Sequence, residues 1–321
     1  MTRVVVRAPG GPDVLHVEEV AAPTPAAGEV LVDVEASGVA FGDVQLRQGR
    51  FPGKLPVVPG YDVVGRVSAV GPEVRGIAVG QRVAALTVTG GYATRAVARA
   101  DLAVPVPDGP EAARVVALVL NYLTAWQMLH RVSGVRPGGS VLVLGAAGGV
   151  GSALAQLATR EGIRVYGTAS AKRHAALVAA GVTVVADQAA VPERVDAAFD
   201  AVGGPSIAAS RRATKRTGVV VGYGMSFAVA ADLSKAGGLT RAVAALARAK
   251  VTPGAKVAGY LVASSADKDP AAFRADLARL VDLLVDGALD PVVTTMPLAR
   301  AADAHRLLEA RRVVGKLVLV P

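Results

Sequence analysis

Val141-Leu142-Val143-Leu144-Gly145-Ala146-Ala147-Gly148-Gly149-Val150-Gly151 is the stretch that decides the fold of this 321-residue chain. Four consecutive apolar residues suit a strand buried on both faces. The small residues after them permit a tight turn, and helical spacing follows over residues 149–161. Backbone N–H groups in such a turn can approach a pyrophosphate closely, and the start of the helix adds a favourable partial charge. Ala146, Gly148, Gly149, Val150 and Gly151 are the expected contacts. Gly151 would also let the helix close on the strand, and Ala146 stands where the dinucleotide fingerprint usually has its first glycine. A purely structural strand–helix turn is the alternative reading. The strand before, the helix after and a second strand at 164–168 favour the nucleotide.

Outward from this loop the pattern alternates. Strands are expected at 164–168, 183–186, 197–201 and 219–221, with a helix over 171–180. Alternating strands and helices predict an α/β domain with a Rossmann-type, doubly wound parallel sheet. The end of the second strand selects the dinucleotide. An NAD site expects a carboxylate there for the ribose hydroxyls. This chain has Thr168-Ala169-Ser170-Ala171-Lys172-Arg173-His174 instead. Thr168, Ser170, Lys172 and Arg173 suit a 2′-phosphate, so NADPH is the expected cofactor; a solvated helix start is the plainer alternative. Gly222-Tyr223-Gly224 follows the fifth strand, at the edge where ligands bind in such sheets, and places Gly222 and Tyr223 among the expected cofactor contacts.

The first ~110 residues read differently. Short Val-rich runs at 4–7, 29–36, 63–70, 82–84 and 92–98 are punctuated by glycine and proline. They predict a compact, barrel-like β domain. Residues 111–120 and 123–131 have helical spacing, as do 273–285 and 301–309, and 316–320 reads as a final strand. The expected division is a β domain over 1–115, completed by 288–321, around a cofactor domain over 116–287.

Composition narrows the chemistry. Apolar residues make up 52% and charged residues 19%, so disorder is not expected. There is no cysteine, which excludes disulfides, thiolate zinc sites and cysteine nucleophiles. His16, His130, His174 and His305 show no metal-ligand spacing, and His305 has an unremarkable sequence context, so no metal is expected. The net charge of +9 comes from scattered arginines with only short basic runs, which argues against a nucleic-acid partner. The N-terminus reads as a strand, and the apolar segment 141–158 is broken by glycines. A cytoplasmic protein acting on a small molecule is expected.

Several motifs together resemble the medium-chain dehydrogenase/reductase superfamily, in its zinc-free quinone oxidoreductase branch. They are Gly38-Val39-Ala40-Phe41-Gly42-Asp43, Pro59-Gly60-Tyr61-Asp62-Val63-Val64-Gly65, Gly90-Gly91-Tyr92-Ala93, Leu123-Thr124-Ala125-Trp126 and Gly315-Lys316-Leu317-Val318-Leu319. The resemblance implies a GroES-like β-barrel catalytic domain, a cofactor domain inserted into it, an active site in the cleft and a homodimer. It also places Thr124 near the nicotinamide. Zinc-dependent relatives have cysteine at the position of Ala40 and histidine at that of Tyr61. Quinone reductases commonly have asparagine at the position of Ala40 and tyrosines at those of Gln45 and Phe51. The residue matching their tyrosine near the adenosine phosphate is Gln188.

Within this frame the expected reaction is zinc-independent hydride transfer to a quinone or an α,β-unsaturated carbonyl. Donors aimed at the substrate oxygen would stabilise the charge that develops there. Tyr61 is the first candidate; its alternative is to fill the space a metal leaves. Asp43 could accept from the Tyr61 hydroxyl or hold the backbone. Gln45 and Asn121 could each donate through an amide, or serve as loop or cap residues. A specialised biosynthetic enoyl or imine reductase is the second reading. An RNA-binding or structural relative is the third.

Overall fold

The fold is described from a computed structural model over residues 1–50, 54–224 and 254–321. Phe51 and residues 225–253 lie outside these residues. Contacts divide the chain into two compact units, Met1–Leu123 with Val262–Pro321, and Thr124–Leu261.

The second unit is built on six strands: β8 (Ser140–Leu144), β9 (Arg164–Thr168), β10 (Val182–Val184), β11 (Val195–Asp200), β12 (Thr214–Tyr223) and β13 (Lys256–Tyr260). They lie in the order β10-β9-β8-β11-β12-β13, and every pairing is parallel. The chain winds outward from β8 in one direction and from β11 in the other. The direction therefore reverses between these two central strands, which is where such sheets bind ligands. All five residues of β8 are buried, as the apolar run requires. The helix Gly149–Arg160 buries Gly151, Ala153, Leu154, Ala155, Leu157 and Ala158, a narrow face of small side chains that packs close to the sheet. The expected helix over 171–180 is instead a tight turn, Ala171–Arg173, followed by the short helix His174–Ala179.

In the first unit β1 (Thr2–Val6) and β2 (Leu15–Glu19) form a separate antiparallel ribbon. The larger sheet uses β3 (Glu29–Val39), β4 (Asp62–Val70), β5 (Arg82–Leu86), β6 (Arg95–Arg99), β7 (Ala103–Pro105), β14 (Val293–Pro297) and β15 (Lys316–Val320). Its order is β14-β15-β3-β4-β5-β7, with β6 also on β3. Two register shifts along β3 let this long strand serve several neighbours. Residues 29–33 pair with β6 and residues 37–39 with β15. A core of Val30, Val32, Val63, Val67, Val83 and Ala96 lies inside this sheet.

Three local features depart from the sequence reading. Tyr92 belongs to a turn rather than a strand: its N–H donates to Pro59 and its carbonyl accepts from Val4. Phe41–Arg47 forms a helix. Residues 112–133 form one continuous helix, not two, because wider turns at Leu118–Tyr122 and Met128–Ser133 absorb the break in apolar spacing. This helix is long and apolar enough to cross a membrane, and 78% of its apolar window is buried within the fold. The helix Pro270–Val285 belongs to the first unit, where the Arg274 guanidinium donates to the Ala100 carbonyl. The inserted unit accordingly spans Thr124–Leu261, against the expected 116–287.

Candidate active site

In the second unit the glycine-rich loop leaves β8 through Gly145, whose φ of 70° is a conformation only glycine adopts readily. Gly148 N–H donates to Gly145 O at 2.9 Å, closing the turn. A Cβ on Gly151 would land on the Gly145 carbonyl and lie 2.8 Å from Ala146 Cα, so only glycine lets the helix start here. Ala146 replaces the usual first glycine because the adjacent strand supplies one: a Cβ on Gly167 would sit 2.7 Å from the Ala146 methyl.

The helix then begins without a side-chain cap, since its N-cap is Gly148. The first N–H groups of a helix have no acceptor within it. Those of Gly149, Val150 and Gly151 therefore have neither an intrahelical acceptor nor a side-chain cap.

β8 and β9 end side by side, with Leu144 opposite Thr168. Thr168 ties the two ends together: its hydroxyl accepts from Gly145 N–H at 3.2 Å and its carbonyl from Ala146 N–H at 3.0 Å. The turn after β9 carries Ser170 and Lys172 exposed to solvent. Arg173 reaches back to the glycine-rich loop and donates to Ala147 O at 3.4 Å. Thr168 and Arg173 are thus the residues of this strand end and turn that contact the glycine-rich loop, at Gly145, Ala146 and Ala147. Gln188 donates to the Ser206 hydroxyl at 2.9 Å.

Gly222 and Tyr223 end β12, next to Asp200 at the end of β11. Tyr223 is buried, and burial together with the Asp200 charge pushes its hydroxyl pKa up. Asp200 was missed in sequence. Its carboxylate accepts from Val202 N–H, Gly203 N–H and the Ser210 hydroxyl, which shapes the turn after β11. The signal was the aspartate followed by Gly203-Gly204, both at positive φ. Thr124 is buried on the long helix, and its hydroxyl oxygen has no hydrogen-bond partner among the described residues. An orphaned buried hydroxyl, an uncapped helix start and a basic turn together fit a phosphorylated dinucleotide.

In the first unit Asp43 is completely buried on the Phe41–Arg47 helix. One oxygen accepts from Gly60 N–H at 2.9 Å; the other accepts from Ala40 N–H at 2.8 Å and from the Tyr92 hydroxyl at 3.2 Å. No hydrogen bond from the Tyr61 hydroxyl to Asp43 is made among the described residues. Burial pushes the Asp43 carboxyl up to about 6 despite them. Tyr61 is partly exposed, and burial with the Asp43 charge pushes its hydroxyl up to about 12, so it is a donor at neutral pH. Its carbonyl accepts from Thr87 N–H at 2.9 Å and Val88 N–H at 3.0 Å. Gln45 and Asn121 are both buried, and the Gln45 carbonyl oxygen has no partner among the described residues.

Beside these residues Asp62 and Lys316 form a fully buried ion pair. Burial pushes the Asp62 carboxyl up, against the pull of the Lys316 ammonium and of the Leu120 and Gly38 N–H groups. His305 is also completely buried, contrary to its unremarkable reading in sequence, and contacts the Tyr92 hydroxyl at 3.0 Å. Neither Lys316 nor His305 had a local signal, since their partners lie more than 200 residues away.

Comparison with known proteins agrees with this architecture. Residues 26–108 match the alcohol dehydrogenase GroES-like domain, and residues 174–319 match the zinc-binding dehydrogenase family. The chain is 33% identical to the human synaptic vesicle membrane protein VAT-1 homolog, over 94% of this chain and 81% of that protein. A mycobacterial structure complexed with NADPH is 30% identical, covers all of both chains and superposes with a TM-score of 0.85. The Escherichia coli quinone oxidoreductase complexed with NADPH is 25% identical, again over both whole chains, with a TM-score of 0.85. The chain belongs to the medium-chain dehydrogenase/reductase superfamily and is quinone oxidoreductase-like, an oxidoreductase with a GroES-like unit and a Rossmann-type unit.

Proposed function

We propose that this protein is an NADPH-dependent, zinc-independent reductase of quinones or α,β-unsaturated carbonyl compounds. The observation that carries the reading is the contact of Arg173 with the glycine-rich loop that leads into an uncapped helix start. The pyrophosphate would lie on the N–H groups of Gly149, Val150 and Gly151, and the 2′-phosphate among Ser170, Lys172 and Arg173. Thr124, Gly222 and Tyr223 would contact the nicotinamide half. The NADPH complexes of the two similar structures support this assignment.

When bound, NADPH supplies the hydride, and the protein supplies orientation and hydrogen bonds. Tyr61 would donate to the substrate oxygen as negative charge develops there. Its high pKa keeps the proton in place for that purpose. Gln45 and Asn121 would add amide donors to the same oxygen. Asp43 is assigned to holding Ala40 and Gly60, not to proton transfer. Independence from zinc is supported by the absence of cysteine, by Ala40, which cannot ligate, and by a tyrosine that stays neutral. Among the described residues no three His, Asp or Glu side chains group as metal ligands. The resemblance implies a homodimer, and the sequence composition carries the expectation of a cytoplasmic enzyme.

The test is a fluorescence titration of Trp126, the single tryptophan, with NADPH. Loss of NADPH absorbance is then followed with quinones, enones, enoyl thioesters and cyclic imines. Turnover on quinones or enones by metal-free enzyme supports the reading. Turnover only on a thioester or an imine moves the substrate to the biosynthetic class. A protein that does not bind NADPH ends the proposal.

A further inference from the structure

Behind the Phe41–Arg47 helix lies a polar cluster that the proposed reaction does not use. His305 is completely buried, with its Nε2 3.0 Å from the Tyr92 hydroxyl and its ring edge-on to the Tyr92 ring. The Tyr92 hydroxyl is 3.2 Å from Asp43 Oδ2. Arg47, also completely buried, donates to Glu309 Oε1 at 2.6 Å, and Gln48 donates to the same oxygen at 2.7 Å. Arg47 Nε and Nη1 and His305 Nδ1 have no partners among the described residues.

Donor and acceptor rules fix the direction of this chain. Asp43 is ionised at neutral pH and so only accepts. Tyr92 must therefore give its single proton to Asp43. The Tyr92 oxygen then accepts, and His305 Nε2 must carry the ring proton. Burial and the charge of Arg47 push the His305 ring down to about 3, so it is neutral and holds that one proton. Nδ1 is left with its lone pair.

We propose that Tyr92 and His305 are positioning residues, whose directed chain His305 Nε2–H to Tyr92 O–H to Asp43 holds the carboxylate that clamps Ala40 and Gly60. Asp43 is the point where two segments meet. Ala40 precedes the helix that carries Gln45, and Gly60 precedes Tyr61. A carboxylate free to swing would release both at once. The final helix Ala301–Glu309 thus acts on the candidate donors from behind, through His305 and through Glu309 on Arg47. The inference rests on the proposed reductase reading for the roles of Tyr61 and Gln45.

The test begins with the wild-type enzyme turning over NADPH and a quinone or enone. Tyr92→Phe keeps the ring and removes the hydroxyl. The expected result is a fall in kcat of about tenfold, the size of one lost hydrogen bond to a charged group, with NADPH affinity unchanged. His305→Leu should reproduce it. His305→Gln, whose amide can donate in place of Nε2, should recover kcat to within about threefold. Independently of turnover, ¹⁵N NMR of the His305 ring should show the Nε2–H form between about pH 7 and pH 8, where Asp43 is ionised. Full kcat in both Tyr92→Phe and His305→Leu overturns the positioning role. A ring that carries its proton on Nδ1, or titrates near neutral pH, overturns the direction of the chain. Failure of the wild type on every acceptor overturns the reductase reading, and with it the catalytic consequence drawn here. The NMR result still decides the chain itself.

Discussion

Lys316 Nζ lies 2.8 and 3.0 Å from the two carboxylate oxygens of Asp62, and neither side chain is more than 2% exposed. The pair joins β15 to the start of β4 across β3, directly over Gly38. A Cβ on Gly38 would collide with both partners, which explains a glycine within the strand. Breaking a buried pair from one side leaves an uncompensated charge and costs roughly 3–5 kcal/mol. Lys316→Met is therefore expected to lower the unfolding free energy by about that amount in urea. Lys316→Met with Asp62→Asn should recover most of it. A loss below about 1 kcal/mol for the single variant would show that the pair does not hold the sheet.

The basic turn after β9 makes a selectivity prediction. Arg173→Glu reverses the charge next to the glycine-rich loop. It should weaken NADPH binding by at least about tenfold and leave NADH binding nearly unchanged, because only the 2′-phosphate differs. Calorimetric titration with the two nucleotides measures this. Equal losses for both would place Arg173 against the shared pyrophosphate instead.

Asp43 gives a pH dependence of unusual sign. Its folded pKa of about 6 is above the ordinary aspartate value, so the native state binds the proton more tightly than the unfolded chain. The contribution of Asp43 to stability is therefore fully present below about pH 4 and is lost as pH rises through about 6. Its total size is on the order of 3 kcal/mol. The half-buried Glu18, Glu193 and Asp303, held below their usual range by arginines, act in the opposite direction. The difference between wild type and Asp43→Asn isolates the term. It should narrow as pH falls from about 6 to about 4 if the charged clamp costs more than it returns. A difference that does not change with pH would contradict the raised value.

Val88 occupies a left-handed conformation, with φ of 63°. A β-branched side chain is strained there by roughly 1–2 kcal/mol. What holds it is the neighbouring backbone: the N–H groups of Thr87 and Val88 both converge on the Tyr61 carbonyl, and the Thr87 hydroxyl donates to Gly60 O at 2.7 Å. Val88→Gly should therefore raise thermal stability slightly, by at most about 1 kcal/mol after the greater freedom of glycine in the unfolded chain. A lowered midpoint would mean that the Val88 side chain contributes packing that outweighs the strain.

The parallel sheet was legible because its signal is local. Each central strand is an apolar run with a helix beside it, and 164–168 coincides with β9 residue for residue. The glycine-rich turn between β8 and the helix Gly149–Arg160 was legible for the same reason, since its small residues interrupt the apolar run. Short edge elements were not. β2 is largely exposed and β7 has three residues, so neither shows an apolar pattern. The polar cluster of the first unit was hidden more deeply. His305, Tyr92 and Asp43 meet only through the fold, and nothing about a histidine in an Ala-rich helix announces a buried partner. Helix 270–285 has the same apolar spacing whichever sheet it covers, so spacing alone does not assign it to a unit.

The place of β15 between β14 and β3 has a consequence for synthesis. β3 lies within the first forty residues, and its partner β15 is made more than 270 residues later. The unit that begins the chain is therefore the last to have all its strands. The inserted unit, closed by Leu261, is complete while its host still presents the Val39 end of β3 unpaired. A chain emerging from the ribosome thus carries an open sheet edge at residues 37–39 of β3 until β15 arrives.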